Sequence, residues 1–366
     1  MRRIYAYFLP QFHRTPENDA HWGVGFTEWT NVKRSHPLFH GHRQPLVPQF
    51  GYYDLSNQGV LRDIASYAKN HGVEGFAYWH YWFGEGRAPL SLVPHIHHRD
   101  ASISSGFFYA WDNSNWTKRW VGSDEVIFEV DYSRKSAIGH FEFLEPYIDD
   151  SRYLRLDGKP VFQVIHLHDP RVLDYIVSLD SMLEQTRGER FHWVFPVGSL
   201  VRSPVRTQIR VLEHSATDFP PGKPINISQR FGLTTNRKRK MESLAHPAAP
   251  TCVSHAEYLT LFAVRTALHA AVESDYIPAV LSGWDTTPRY GGRGLVINGD
   301  IPKLLTSQLS LVRRMRQLFR GAGKELLLVK AWNEWAEGNI LEPYRGPDGV
   351  PHSPATCLAK YASQEG

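Results

Sequence analysis

Cysteine is scarce in this chain. Its 366 residues hold two, Cys252 and Cys357, too few and too far apart for a disulfide framework or a CxxC metal knuckle. Long apolar runs are missing too. The stretch from Ile4 to Leu9 stops at Pro10, too short for a signal-peptide core, and no later stretch is long enough to span a bilayer. These absences predict a cytoplasmic protein. A one-sided charge is absent as well: 41 Lys and Arg face 37 Asp and Glu, an excess too small and scattered for nucleic-acid binding. No Gly-x-Ser-x-Gly elbow and no Walker loop occurs, which sets aside serine-hydrolase and P-loop chemistry. Leu9-Pro10-Gln11-Phe12 stands where a glycine-rich phosphate fingerprint would follow a first dinucleotide-binding strand.

Aromatic residues, by contrast, make up 13% of the chain, and many sit beside Asn, Asp, His or Gly rather than inside aliphatic runs. That placement suggests a ring-lined cleft. The densest case is Ala331-Trp332-Asn333-Glu334-Trp335-Ala336-Glu337-Gly338, directly after the apolar run Leu326-Leu327-Leu328-Val329. A strand that abruptly delivers two acids and two indoles has stopped building core. One carboxyl can hold a proton while the other stays ionised, and indole faces stack on the C–H faces of a pyranose. On a continuing strand, residues three apart point to opposite faces; on a turn they meet. The backbone must therefore turn at Trp335-Ala336 for Glu334 and Glu337 to reach one glycosidic oxygen.

Short apolar runs alternate with helical patterns along the chain. Strands are expected at 4–9, 75–79, 106–111, 161–165, 193–197, 209–212, 277–281 and 326–331, and helices at 57–70, 136–148, 171–185, 255–273 and 302–320. The helix at 255–273 carries a stripe of Leu259, Phe262, Ala263, Thr266, Ala267 and Ala270. Strands apolar on both faces belong to a parallel sheet covered on both sides, and their number favours an α/β (β/α)8 TIM barrel in one domain, residues 1–366. Long loops are expected after strands 1 and 6, at 10–54 and 217–252. The second holds Arg237-Lys238-Arg239-Lys240, a basic run that reads as a solvated loop or as a contact for anionic lipid, a pyrophosphate carrier or an acidic glycan.

A barrel builds its site at the C-terminal ends of its strands. There the first strand supplies Gln11, His13, Trp22, Glu28 and Trp29, and the second Tyr78, His80, Tyr81 and Trp82. The third supplies Trp111, Asp112, Asn113, Asn115 and Trp116, and the fourth His166 and His168. Trp284, Asp285 and Arg289 follow the seventh, and Trp332, Asn333 and Trp335 join the two acids after the eighth. These residues are candidates for substrate binding, with Glu334 and Glu337 as the catalytic pair. The clusters His95-x-His97-His98, His166-x-His168 and His40-x-His42 each resemble half a metal site, but none has a third ligand at metal spacing. No metal and no cofactor is expected.

Several strings together are familiar. Tyr7-Phe8-Leu9-Pro10-Gln11-Phe12-His13, Gly25-Phe26-Thr27-Glu28-Trp29-Thr30-Asn31, His80-Tyr81-Trp82-Phe83, Trp284-Asp285-x-Thr287-Pro288-Arg289 and the octapeptide from Ala331 resemble the WbsX-type polysaccharide biosynthesis proteins. Those are relatives of glycoside hydrolase family 99, the endo-α-mannosidases. The resemblance implies a (β/α)8 barrel, metal-independent sugar chemistry and a setting in O-antigen or capsule metabolism. It gives Glu334 the role of base on the substrate's own 2-hydroxyl, forming an anhydro-sugar, and Glu337 that of acid and base at the glycosidic oxygen. Asp112-Asn113-Ser114-Asn115 departs from the usual Ala-Asn-Glu-Asn, and His166-x-His168 replaces an aromatic and an arginine. Three functions stay open: a retaining hydrolase or transglycosidase, a nucleotide-sugar-dependent glycosyltransferase of polysaccharide biosynthesis, and a non-catalytic glycan-binding barrel. The partner is an oligo- or polysaccharide, with a nucleotide- or lipid-linked sugar and peripheral membrane contact as further options.

Overall fold

The computed structural model of the protein describes residues 3–118, 123–197, 214–217, 249–272, 276–318 and 326–364. Its centre is a parallel sheet of β1 (Arg3–Phe8), β2 (Gly75–His80), β3 (Gly106–Trp111), β4 (Lys159–Val164), β5 (His192–Pro196), β6 (His214–Thr217), β7 (Tyr276–Ile277), β8 (Ala279–Leu281) and β9 (Leu326–Lys330). They run in the order β7-β6-β5-β4-β3-β2-β1-β9-β8. The two ends of this order are successive pieces of one stretch, interrupted by Pro278, which has no N–H to give to a ladder. Its carbonyl accepts from Leu328 N at 3.0 Å. The sheet is thus curled, with each new strand laid parallel beside the last.

Burial on both faces explains the apolar strands: Ile4 through Phe8 are all buried, as are Leu326 through Val329. Tyr5 lies where a side chain on either Gly75 or Gly106 would collide with its ring, so the glycines that open β2 and β3 make room for it. Helices α1 (Pro16–Trp22), α2 (Glu28–Lys33), α3 (Gln58–Asn70), α4 (Leu92–Arg99), α5 (Arg134–Ile148), α6 (Arg171–Arg187), α7 (His255–Val272), α8 (Thr287–Tyr290), α9 (Ile301–Leu318) and α10 (Ala355–Ser363) complete the described elements used below. Local capping sets their limits. Asn57 accepts from Gly59 N at the start of α3, and Gly188 closes α6 in the left-handed region at φ 66°. Leu61, Ile64, Ala65 and Ala68 then bury one face of α3.

Two expectations change. The sixth strand, expected at 209–212, lies outside the described residues, and β6 is found slightly later, at His214–Thr217. The stretch 10–54 is not a plain loop. It forms α1 and α2 and pairs Val47–Pro48 with Tyr344–Arg345 beyond β9. Of the second expected loop, 218–248 lie outside the described residues, and the basic run goes with them.

Candidate active site

After β9 the backbone does turn. Asn333–Glu334 pairs antiparallel with Asn339–Ile340, and Trp335–Glu337 between them forms a 3₁₀ turn closed by Gly338 at φ 62°. Only glycine suits that position, since a Cβ on Gly338 would also lie 2.8 Å from Asp285 Cβ. Asn333 pins the turn to β1: its Oδ1 accepts from Leu9 N at 2.8 Å and its Nδ2 donates to Leu9 O at 3.0 Å.

The turn brings both acids to one guanidinium. Arg289 Nη1 donates to Glu337 Oε1 at 2.6 Å, and Nη2 donates to Glu334 Oε1 at 2.7 Å. A third carboxylate, Glu28 of α2, stands 3.3 Å from the same Nη2, fully buried. Lys330 Nζ, at the end of β9, lies 3.7 Å from Glu337 Oε2 and 4.9 Å above the Trp284 ring. Asp285 holds the α8 turn that carries Arg289. Its Oδ1 accepts from Thr287 N and Oγ1, and its Oδ2 faces His42 and Gln44, each at 2.9 Å. His42 of the expected histidine cluster is thereby a clamp on the first long excursion.

Burial sets the protonation. It raises Glu334 to about 8, with Arg289 pulling down and Glu337 and Glu28 pushing up. Burial likewise raises Glu28, against the pull of Arg289. For Asp112, burial acts upward, yet hydrogen bonding to His166 and Ser114 holds it below the ordinary carboxylate value.

The cluster opens on a cavity of about 180 Å³ lined by Tyr7, Gln11, Trp79, Tyr81, Asp112, Trp116, Arg289, Lys330, Glu334 and Glu337, among others. A larger groove of about 850 Å³ runs past His13, His95 and Phe143, and none of the acid cluster borders it. The structure brings together, from the residues expected, Gln11, Glu28, Tyr81, Asp112, Trp116, Arg289, Glu334 and Glu337. His166 reaches the group through Asp112 at 3.3 Å, and His168 packs beside it with ring centroids 5.3 Å apart.

The remaining candidates stand elsewhere, for definite reasons. Trp332 and Trp335 are buried and both donate their indole N–H to Glu342, at 2.9 and 2.6 Å, so their faces pack in the core instead of against a sugar. Trp29 is buried too, donating to Tyr53 O at 2.7 Å and packing on Trp335. Tyr78 donates to or accepts from His97, His80 meets His140 at 2.9 Å, and Trp82 donates to Ser136, all on the helix-facing side of β2 and its extension. Trp111 packs against Tyr175 and Phe162 on the same outer side. Asn113 ties to Tyr132 and His166 O, and Asn115 accepts from Val130 N, so both staple loops. Asn333 and Asp285 position backbone, as above, and Trp284 is buried beneath Lys330. His13 faces the larger groove, and Trp22, half-buried, packs on Phe26. Tyr7, Trp79 and Lys330 line the cavity without having been singled out; strict alternation along β1, β2 and β9 was the signal for them. Among the described residues no group of three or more His, Cys, Asp or Glu is placed to hold a metal ion, and no helix is long and apolar enough to cross a membrane.

The acid cluster thus lies at the C-terminal ends of a curled parallel sheet. The chain is similar over 99% of its length to two structures of the GH99 endo-α-mannosidase from Bacteroides thetaiotaomicron, with TM-scores of 0.55 and 0.56 at 13% identity, covering 95% and 96% of those chains. At that identity the likeness is one of fold. The chain belongs to the glycosyltransferase WbsX family, which matches residues 4–347. It is also 31% identical over 351 residues to the protein WxcX of Xanthomonas campestris pv. campestris, in strains B100 and ATCC 33913 alike. That match takes in 93% of this chain and 47% of WxcX, so the chain spans about half the length of these relatives.

Proposed function

We propose that this protein is a carbohydrate-active enzyme that breaks or transfers a glycosidic bond of a bacterial surface polysaccharide, of the O-antigen or capsule kind, using Glu334 and Glu337. The reading takes the sheet as a closed (β/α)8 barrel, closed through β7 and β8, and places the protein in the cytoplasm. One observation carries it: two carboxyls from a single turn share one guanidinium at the floor of the cavity. Binding alone requires no such pair.

The electrostatics favour roles opposite to those implied by the resemblance. Glu334, raised to about 8, is the proton holder at neutral pH. Glu337, which lies between the cations Arg289 and Lys330, is the candidate base. Glu334 protonates the glycosidic oxygen as the C1–O bond breaks. Glu337 takes the proton of the substrate's 2-hydroxyl, whose oxygen closes on C1 to give a 1,2-anhydro-sugar. Water or an acceptor hydroxyl then opens that ring at C1, giving its proton to Glu334 while Glu337 returns the other to O2. Trp116 and Trp79, with Tyr7 and Tyr81 beside them, offer the sugar its ring surface.

Glycosides with a good phenolic leaving group need no acid and test the assignment. Glu334→Gln is expected to keep the release of the phenol from such aryl glycosides, with turnover restored by azide, which needs no base to open the anhydro ring, while losing turnover of natural glycans; Glu337→Gln is expected to lose both. The reverse pattern would exchange the roles, and full glycan turnover in either variant would remove the pair from catalysis. The family's description as glycosyltransferases favours a second reading, with an activated sugar as donor. Product analysis with and without nucleotide sugar separates the two, since only the transferase requires it.

A further inference from the structure

The catalytic reading uses two of the three carboxylates around Arg289 and leaves Glu28 without a task. Glu28 is fully buried, yet neither oxygen makes a hydrogen bond of ordinary geometry; its nearest cation is Arg289 Nη2 at 3.3 Å. A solitary buried carboxylate is expensive unless it is paired or protonated. It is also held firmly. Glu28 opens α2, whose N-cap Thr27 and Thr30 form a capping box, and the next residue, Trp29, packs on Trp335 with ring centroids 5.6 Å apart. Trp335 is in turn the residue after Glu334. The indole pair therefore registers Glu28 against the catalytic turn.

The charges around Glu28 can be enumerated by element. From α8 comes Arg289, from the 3₁₀ turn Glu334 and Glu337, from β9 Lys330, and from its own helix the neutral Asn31. With all three carboxyls ionised, two cations leave the cluster one negative charge in excess. One proton makes it neutral. With Glu28 replaced by a neutral residue, two carboxylates and two cations balance with no proton at all.

We propose that Glu28 is a positioning residue of the active site, the third carboxylate whose charge keeps one proton on the Glu334–Glu337 pair. It rests on the catalytic reading for its purpose, but not for its test. The first excursion from the barrel, by inserting Glu28, loads the acid that the β9 turn delivers. Without it the two catalytic acids would balance Arg289 and Lys330, and the proton that burial favours on Glu334 would be held less tightly.

The test reads the carboxyls directly. Protein carrying ¹³C in its glutamate carboxyl carbons is titrated by NMR, with the Glu334 signal assigned by its loss in Glu334→Gln. In the wild type this signal is expected to move near pH 8. In Glu28→Gln it is expected to move at least about one pH unit lower, the size of effect that a removed like charge produces at this range. Glu28→Asp, which keeps the charge, is expected to leave it near the wild-type position. If Glu28→Gln does not fold, the reciprocal measurement serves, because linkage is mutual: in Glu334→Gln, the Glu28 signal must titrate lower than in the wild type. An unmoved titration in either variant overturns the inference. A shift in a protein with no turnover on any glycan would leave Glu28's role standing and remove the catalytic reading; turnover through Glu334 with no shift would do the opposite.

Discussion

The tryptophans of the octapeptide are rivets. Trp332 and Trp335 each donate to one oxygen of Glu342, and the Tyr53 hydroxyl lies 3.0 Å from both. Burial raises Glu342 to about 8. Sequence offered the acids and the indoles as one set, because sugar sites and core both favour aromatic residues. It could not separate them, since the deciding partner, Glu342, reads as one more polar residue after the motif. Replacing Trp335 with Phe keeps the ring packing and removes the donor. Leaving the buried carboxyl one donor short is expected to cost about 1–3 kcal/mol. A urea midpoint lowered accordingly, with unchanged slope, would be the sign; an unchanged midpoint would mean that Glu342 finds a substitute donor.

At the scale of elements, most of the fold was legible and the orientation of one strand decided the rest. Alternating apolar runs located seven of the eight expected strands closely, and helices such as Arg134–Ile148 and Arg171–Arg187 start within two residues of expectation. Short polar helices inside the first excursion were not visible, because α1 and α2 are held by their caps, and α2 also by docking on the turn after β9, and not by an amphipathic stripe. In β2 and its extension the expected Tyr78, His80 and Trp82 are the helix-facing set, while the expected Tyr81 and its neighbour in alternation, Trp79, face the cavity. A period of two puts each residue chosen out of phase on the opposite face of the sheet. The consequence is measurable. Trp116→Ala is expected to raise KM for glycan roughly threefold to tenfold, from about 0.5–1.5 kcal/mol of lost ring contact, with little loss of stability. Trp82→Ala, buried against His140 with centroids 4.8 Å apart, is expected instead to lower Tm and leave KM in place. Equal effects on KM would return Trp82 to the site.

Over the whole molecule, the same burial that prepares an acid makes stability depend on pH in an uncommon direction. Glu334 and Glu342 both stand at about 8 in the folded chain, from an ordinary value of 4.5. Between those values the folded state binds protons that the unfolded state has released. Stability conferred by these groups is therefore complete below about pH 4.5 and is lost as pH rises through about 8. Asp112 and Asp285 work the other way, since partners hold them below the ordinary value despite burial, but that contribution is already complete at neutral pH. The buried His80, His97 and His140, lowered by burial, add stability as pH rises to about 6.5, so the raised carboxyls set the slope above that, and Tm is expected to fall from about pH 7 to about pH 8. Glu342→Gln removes one of the two titrations while leaving the acid cluster untouched. Its Tm is expected to start lower, because an amide presents one acceptor to three donors, and to fall less steeply over the same range. A parallel, equally steep curve in the variant would place the pH sensitivity outside Glu342, and a flat wild-type curve would mean that neither carboxyl is raised.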